Sequence, residues 1–410
     1  MNKMKAFNRF RQRYNMQIFF MITLLQYLAA NFAHPFTPTL IQDLGLKDYM
    51  FGLMFAAMSF TNFLFSPFWG KMREYFSARG LLFIGCLGYA GGQFLFSISK
   101  TMPIILLARC TSGVFVGAIS VSTLVYATDH GVTDRAGENL AKLAILQSLG
   151  AAFGYLIGGV LGSRSIPFTF SLQVAVLALC GILYGTLLTK DQEETHESVH
   201  LKMLLKEANP LKAFSSCRAF MTVSFALLFL AVLFANLGTF AFDQCFNYYL
   251  KDQFQLSSRY NGLIKAIIGV ITLIANTSIC MRIMKRKNIK RPTAWIMLCG
   301  AASIFFMLQA VRLPAFVTIC IAFFTFNAIY IPLLQDSVAR ESTKKNNLVM
   351  GFYNAVKSMG MIGGALVAGF IYSYGAKLPF VFAGICFVLA AVFLLIKPLG
   401  AVNRVVKSKR

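Results

Sequence analysis

Twelve long apolar runs follow one another along the chain, separated by short polar or charged segments. A run of roughly 20 apolar residues is what an α-helix needs to cross the hydrocarbon core of a bilayer. Membrane-spanning β-strands would instead alternate polar and apolar residues over roughly 10 positions. Hydrophobic residues make up 57% of the 410 residues and charged residues 13%, whereas soluble proteins carry about 25% charged residues. The sequence therefore predicts an all-α membrane protein with 12 transmembrane helices.

A polar segment at residues 189–217 divides the apolar runs into two sets of six. We therefore expect two six-helix bundles, at residues 1–188 and 218–410, joined by a linker. The predicted spans are Met16–Leu40, Tyr49–Trp69, Leu81–Ile98, Ile104–Ala127, Leu140–Gly162, Phe168–Leu188, Phe220–Phe242, Tyr260–Met281, Thr293–Val311, Ala315–Leu334, Leu348–Tyr372 and Phe380–Ile396.

The cations fall mainly on one side of these spans. With the N-terminus inside, 29 of the 39 Lys and Arg residues lie in cytoplasmic segments or, in the case of Lys142, at the cytoplasmic end of a span; 7 lie on the opposite side and 3 lie deeper within spans. Short cytoplasmic loops retain Lys and Arg, so we expect a plasma-membrane protein with both termini in the cytoplasm. The net charge of +24 then belongs at membrane edges beside anionic headgroups, and we expect no nucleic-acid partner.

The fifth span contains glycines four residues apart, and the eleventh span repeats the pattern. A mid-helix glycine costs about 1 kcal/mol relative to alanine, but in a bilayer small residues four apart let two helix backbones pack closely. The segment Ser148-Leu-Gly150 matches Ser358-Met-Gly360 at an offset of 210 residues, which predicts two pseudo-symmetric halves. The glycines expected to pack helices together are Gly150, Gly154, Gly158, Gly159, Gly360 and Gly364.

Three local patterns resemble known signatures. One is the loop Gly70–Arg79, with an acidic residue four positions after its glycine, and another is the segment Arg109–Gly117, with an arginine followed by two glycines. The third is the glycine row of the fifth span, in which Tyr155 stands where the signature has proline. Through these patterns nearly the whole chain resembles the major facilitator superfamily, and within it the twelve-span drug:proton antiporters.

This resemblance implies roles for several residues. The loop would be a cytoplasmic latch formed by Gly70, Glu74, Arg79, Asp129 and Arg135. Arg109 would take part in proton transfer, although an arginine inside an apolar run can also be structural, bonded to backbone carbonyls. The central cavity would be lined by Gln26, Asn31, His34, Gln147, Asn236, Phe240, Asn327 and Tyr330. Tyrosine keeps the backbone donor that proline lacks, so the fifth span should not show the antiporter bend.

Lys357 lies about ten residues into the eleventh span, near the bilayer midplane, three residues before Gly360. A lysine there can lose its proton, bind an anionic substrate group, neutralise an acid during transport or form a structural pair. Its counterpart in the repeat is Gln147. Asp243 and Lys265, near the outer ends of the seventh and eighth spans, are a further candidate pair for substrate or proton coupling.

Two functions fit these residues. The first is a secondary active transporter that works by alternating access and exports small organic compounds, such as drugs or metabolites, against protons. The alternative is an uptake symporter or facilitator for an anionic metabolite, favoured by Lys265, Lys357 and the missing proline. The sequence contains no H-E-x-x-H motif, glycine-rich phosphate loop or paired carboxylates, so we expect no enzyme, no cofactor and no metal site. We expect a monomer whose partners are the bilayer, a small-molecule substrate and protons.

Overall fold

The computed structural model describes residues 2–73, 75–129, 136–189, 220–310, 312–341 and 346–396. All regular structure within these ranges is helical. The α-helices are α1 (Asn2–Ala30), α2 (Thr37–Asp43), α3 (Met50–Met72), α4 (Ala78–Ile98), α5 (Met102–Asp129), α6 (Ala136–Arg164), α7 (Ile166–Leu187), α8 (Val223–Asp252), α9 (Ser258–Ala275), α10 (Met281–Met284), α11 (Lys290–Met307), α12 (Leu313–Glu341), α13 (Asn346–Tyr372) and α14 (Leu378–Leu395).

Eleven helical stretches in the described residues are long and apolar enough to cross a membrane. The predicted ninth span corresponds to α11, which has only 18 residues and begins with Lys290 and Arg291. These two cations shorten its apolar part and keep α11 outside that set of eleven. The all-α membrane fold class is confirmed.

The first predicted span is interrupted near its outer end. Helix α1 stops at Ala30, a 3₁₀ turn covers His34–Phe36, and α2 starts at Thr37. Pro35 in this turn has no N–H to continue the helical hydrogen bonds. Thr37 re-forms the pattern, because its backbone nitrogen and its Oγ1 donate to the carbonyl of Ala33 at 3.1 and 2.8 Å.

Helices of the second half also differ from the predicted spans at their ends. Helix α8 continues ten residues beyond Phe242, and α12 continues seven residues beyond Leu334. Helix α9 is followed by a π-helical turn at Asn276–Cys280 before α10 completes the span. Charged side chains at the ends of α8 and α12 ended the apolar windows without ending the helices.

The chain packs as two compact units. The first comprises the described residues of Met1–Pro210 and Asn247–Val270, and the second those of Leu211–Phe246 and Ile271–Arg410. This grouping follows contacts, so the C-terminal part of α8, from Asn247 onward, and most of α9 belong to the first unit. The linker predicted at residues 189–217 lies outside the described residues except for Thr189, and the predicted division at that linker stays a prediction.

Each unit has its own buried core. In the first unit the ring of Phe19 packs on Tyr126 and Tyr184, with centroids 4.8 and 6.4 Å apart, and Thr23 hydrogen-bonds the Tyr184 hydroxyl at 2.9 Å. In the second unit the core is built on Phe242, which contacts the rings of several other phenylalanines. These rings belong to Phe246, Phe323, Phe324 and Phe380. Many of the chain's phenylalanines therefore pack inside the protein as well as facing lipid.

Candidate functional site

The glycine row of α6 lies directly against the backbone of α1 and of the turn that follows it. A methyl group added at Gly154 would fall 2.5 Å from the carbonyl oxygen of Leu28, and one at Gly158 would fall 2.2 Å from that of Phe32. No side chain fits at either position without moving a backbone. The two helices therefore meet through main-chain atoms, as small residues four apart allow.

Helix α13 packs on α8 in the same way within the second unit. A methyl group at Gly360 would fall 2.6 Å from Cβ of Asn236, and one at Gly364 would fall 2.3 Å from the carbonyl oxygen of Leu237. The contact again combines a glycine with a neighbouring main chain. Both glycine positions exclude alanine unless the helices separate.

The two crossings are equivalent positions of an internal repeat. Gly150 lies against Tyr27, and Gly360 lies against Asn236. The two glycines are 210 residues apart and their partners 209 residues apart. The two helix pairs therefore cross at equivalent residues of the repeat. This match extends the sequence repeat to the partner helices α1 and α8, which the glycine pattern alone did not identify.

Gly159 points to a different neighbour, helix α9. A methyl group there would fall 2.5 Å from the carbonyl oxygen of Ser258 and 3.0 Å from Cα of Gly262. Helix α6 thus uses glycine on two faces, against α1 and against α9. Both contacts lie within the first unit.

Tyr155, which replaces the proline of the antiporter signature, lies between these two faces. Helix α6 runs unbroken through it, as expected for a residue that keeps its N–H. Its ring stacks on His34 with centroids 5.5 Å apart and an interplanar angle of 11°. Nζ of Lys265 lies 5.9 Å from the centre of the same ring, within cation–π range.

Arg109 is buried, with 5% of its surface exposed, and faces α4. Its Cζ lies 4.1 Å from the centre of the Phe96 ring, and among the described residues no carboxylate lies within ion-pair distance. Its Nε finds no hydrogen-bond acceptor, and the Gln93 side-chain oxygen and the Ser112 hydroxyl are likewise buried without partners. A buried cation on an aromatic face beside unpartnered polar atoms is suited to a proton-transfer or anion-stabilising role.

Gly113 and Gly117 follow Arg109 on one face of α5 and pack on α3. A methyl group at Gly113 would fall 2.1 Å from the carbonyl oxygen of Met58. One at Gly117 would fall 3.2 Å from the Trp69 ring, whose Nε1 donates to the Val114 carbonyl at 2.7 Å. This packing fixes the rotation of α5 and hence the direction of Arg109.

Lys357 is partly buried in α13, one turn before Gly360. It forms no hydrogen bond or ion pair with any residue that the structure describes. Tyr353, four residues earlier, is 3% exposed and lies on the same helix face. A cation within a membrane helix that lacks a partner marks a functional site by default.

A buried hydroxyl cluster joins α8 and α12 beside this face. The hydroxyls of Thr239 and Tyr330 form a short hydrogen bond, Thr239 Oγ1 donates to Asn327 Oδ1 at 3.4 Å, and the Tyr330 hydroxyl donates to the Ala235 carbonyl at 3.3 Å. Asn236 donates from Nδ2 to the Val232 carbonyl within α8 at 2.8 Å. Three polar side chains, those of Thr239, Asn327 and Tyr330, therefore meet in a unit whose core is otherwise mainly aromatic.

The remaining predicted cavity residues lie on other elements. Gln26 is 3% exposed and its Oε1 has no partner, whereas Asn31 donates from Nδ2 to the Tyr27 carbonyl at 2.8 Å. Gln147 is exposed on α6, and Phe240 is partly buried on α8. Whether these side chains line one cavity stays a prediction.

The two residues of the predicted coupling pair, Asp243 and Lys265, are both described. Asp243 is partly buried on α8, where the Gln244 side chain donates to its Oδ2 at 3.5 Å. Lys265 lies against Tyr155, as above. The pairing of Asp243 with Lys265 stays a prediction.

Most of the predicted latch lies outside the described residues. This holds for Glu74, for Arg135 and for the side chain of Asp129, with which α5 ends. Gly70 is exposed, and Arg79 donates from Nη1 to the Leu188 carbonyl at 3.0 Å. The action of these residues as a latch stays a prediction.

The second unit shows a charged pair at the corresponding place in the repeat. Arg340 pairs with Asp336 at 2.8 Å, and its guanidinium also donates to the backbone carbonyls of Met284 and Arg286 at the end of α10. One turn of α12 thereby holds the end of a neighbouring helix. Asp336 and Arg340 occupy in the second half of the sequence the place that Asp129 and Arg135 occupy in the first.

Sequence reasoning missed Phe96 and Thr239. Phe96 lies in a different helix from the arginine that it supports, and Thr239 is one of many threonines in apolar helices. Thr239 lies three residues after Asn236 on the same α8 face, which is the one signal that could have found it. No sequence signal pointed to Phe96.

Comparison with known proteins settles the family. The sequence model of the Major Facilitator Superfamily matches residues 19–346, well over half of the chain. The chain belongs to the Major Facilitator Superfamily. Members of this superfamily are generally transporters and not enzymes, so this superfamily member is a multi-pass membrane transporter for small molecules.

Relatives and solved structures of this superfamily agree over nearly the full length. Multidrug resistance protein 1 of Bacillus subtilis (strain 168) is 21% identical over 364 residues, which cover 88% of this chain and 90% of the relative. Quinolone resistance protein NorA of Staphylococcus aureus (strain MSSA476) is 21% identical over 372 residues, covering 89% and 92%. The resemblance to drug:proton antiporters is confirmed.

The fold is shared with a bacterial homologue of the human lysosomal transporter Spinster, whose crystal structure is inward-facing and unoccupied. The TM-score is 0.73 at 12% identity, with 94% of this chain and 96% of that chain covered. Superfamily structures of this kind have twelve helices in two bundles, so the predicted fold class is confirmed.

Proposed function

We propose that this superfamily member exports small organic compounds from the cell in exchange for protons. The observation that carries the proposal is the repeated close packing of two helix pairs. Gly154 of α6 packs against α1, and Gly364 of α13 packs against α8. Repeated helix packing of this kind underlies the alternating-access transporters. The multidrug and quinolone resistance relatives support export as the direction.

Arg109 supports proton coupling in this proposal. It is a buried cation of the first unit, it lies on an aromatic ring, and none of the described carboxylates neutralises it. Such a group can stabilise a transient negative charge while a proton moves. The latch at Glu74 and the coupling pair of Asp243 with Lys265 belong to the same proposal.

The proposal includes the setting of the transporter. The cation distribution, with 29 of 39 Lys and Arg residues on one side, supports a plasma-membrane protein with both termini in the cytoplasm. We propose a monomer, in which each chain completes its own transport path.

Uptake of an anionic metabolite is the second candidate. Two observations favour it: α6 continues unbroken through Tyr155, and Lys357 offers a positive charge that no described residue pairs with. An importer would use the same repeat and the same buried cations, with substrate and proton moving in one direction. Direction of flux therefore separates the two candidates.

Flux in oriented membrane vesicles tests the proposal. Inverted and right-side-out vesicles are prepared from cells with and without the transporter, and uptake of ethidium and of 1-naphthaleneacetate is followed with and without an imposed pH gradient. Proton-driven export predicts accumulation in inverted vesicles only, and only while their interior is acidic. Accumulation in right-side-out vesicles, or flux that ignores the gradient, would reject export against protons and, in the first case, favour uptake.

A further inference from the structure

We infer that the compounds bound by this transporter are organic anions, and that Lys357 pairs with their carboxylate or sulfonate group. The inference names the substrate class of the proposed export function and rests on that function only for its transport readout. Lys357 is the residue on which the argument depends.

The position of Lys357 follows from the packing of α13. Gly360 and Gly364 face α8, against Asn236 and Leu237. Residues three and seven positions before these glycines share nearly the same helix face, so Lys357 points toward α8 and the interior of the unit. Its partial burial agrees with that direction.

No acid of the described second unit can neutralise this lysine. Asp336 pairs with Arg340, and Glu341 pairs with Lys290. Helices α8 and α13 run parallel where they cross, and Asn236 is level with Gly360. Counting along both helices at about 1.5 Å per residue places Asp243 roughly 15 Å from the level of Lys357, too far for a direct ion pair.

The surroundings of Lys357 are polar and aromatic. Tyr353 lies one turn earlier on the same face, and the Thr239–Tyr330 hydroxyl pair lies on the neighbouring helices α8 and α12. Near the start of α8 the rings of Phe229 and Phe352 meet edge to face, with centroids 4.6 Å apart. Hydroxyls and aromatic rings on the helices of this unit, together with an ammonium that no described carboxylate neutralises, suit a compound with one negative group and an apolar or aromatic body.

A cationic compound fits this environment poorly. Its charge would meet the Lys357 ammonium in a medium of low dielectric constant without an intervening carboxylate, and like charges there repel strongly. A neutral compound would leave the lysine without a counter-charge from any described residue. An anion supplies a counter-charge directly.

Three naphthalene compounds of similar size, one anionic, one neutral and one cationic, test which charge the transporter prefers to bind. Binding of 1-naphthaleneacetate, 1-naphthaleneacetamide and 1-naphthylethylamine to the purified full-length transporter in detergent is measured by isothermal titration calorimetry. We expect the acid to bind at least about tenfold more tightly than the amide or the amine, which corresponds to one partly screened ion pair. Lys357→Gln should reduce the acid's advantage to less than about threefold, and Lys357→Arg should retain it.

Two further variants keep the result interpretable. Lys377→Gln is the matched control, because Lys377 is exposed and donates to the Leu308 carbonyl, outside this region; it should bind the acid like the wild type. Lys357→Met preserves side-chain length and replaces Lys357→Gln if that variant fails to fold. An acid preference lost in Lys357→Gln and retained in Lys357→Arg supports the inference.

The inference is overturned if the wild type binds the amide or the amine as tightly as the acid, if it binds no acid, or if Lys357→Gln keeps the full preference. Failure of the proposed function looks different. Selective acid binding without proton-driven export would support the anion site and reject the export function. Proton-driven export of ethidium without acid binding would support the export function and reject the anion site.

Discussion

The carbonyl oxygen of Leu237 lies where a methyl group on Gly364 would have to go, 2.3 Å from the position of that group. Helices α8 and α13 therefore touch through their backbones at this point. Gly364→Ala should force them apart and lower the free energy of unfolding by about 1–3 kcal/mol, the usual cost of overpacking. Unfolding in mixed micelles measures the change.

Gly351 on the same helix is the matched control for that substitution. It has nothing within 4 Å of an added methyl group, so Gly351→Ala should gain up to about 1 kcal/mol from helix propensity. If both alanine variants changed stability equally, the backbone contact would not explain the glycine at position 364.

Arg109 should not be replaceable by lysine. Its planar guanidinium lies 4.1 Å from the Phe96 ring centre, and a desolvated contact of this kind is worth about 2 kcal/mol. We expect Arg109→Lys to reduce proton-driven transport at least about tenfold. Arg164→Lys, at an exposed position at the end of α6, should transport normally, and equal activity of the two variants would contradict a role for the stacked guanidinium.

Restoring the signature proline at position 155 should damage this chain. Tyr155→Pro removes a backbone hydrogen bond inside α6, at a cost of about 3 kcal/mol, and removes the ring that stacks on His34. Tyr155→Phe keeps both the N–H and the ring and should unfold like the wild type. Thermal unfolding of the purified variants decides this, and a proline variant as stable as the wild type would show that α6 tolerates the antiporter bend.

The hydroxyls of Thr239 and Tyr330 should be energetically coupled, because they hydrogen-bond each other inside the second unit. A double-mutant cycle with Thr239→Val and Tyr330→Phe should give a coupling energy of about 0.6 kcal/mol, and no more than about 1.7 kcal/mol, the range found for membrane helices. The free energy of unfolding of the four proteins provides it. Strictly additive losses would mean that the two hydroxyls act independently.

Arg340 should matter more than the acid that it pairs with. The exposed pair with Asp336 is worth at most about 1 kcal/mol, but Arg340 also donates to the carbonyls of Met284, the last residue of α10, and of Arg286 just after it. We expect Asp336→Ala to lower the free energy of unfolding by less than about 1 kcal/mol, and Arg340→Ala to lower it by about 1–3 kcal/mol more. Equal losses would indicate that only the ion pair contributes.

Hydropathy predicts the spans of this chain well because each transmembrane helix must bury its own backbone in lipid. It predicts helix ends less well. The break at Pro35 was visible as a proline, yet the apolar run continued through it, and α8 extends to Asp252 because helical hydrogen bonds do not require apolar side chains.

The site was predictable where a residue type was unusual for its surroundings. Arg109 and Lys357 are cations within apolar runs, so the sequence alone singled them out. Their neighbours were not predictable in this way, since Phe96 and Thr239 are ordinary residues of membrane helices. Which helices meet is a property of the folded chain, and no local pattern encodes that the Thr239 hydroxyl reaches Tyr330.

Because of the repeat, most positions in one half of the chain have an equivalent position in the other half. Some of these equivalent positions can hold different residues and others cannot. Contact between backbones leaves no alternative to glycine at Gly150 and Gly360. One turn earlier, packing imposes no such restriction, and the two copies differ: Gln147 is neutral and exposed, whereas Lys357 is charged and partly buried. If Lys357 binds the substrate as proposed, the repeat fixes the helix packing and the one position at which its two copies differ sets the substrate preference.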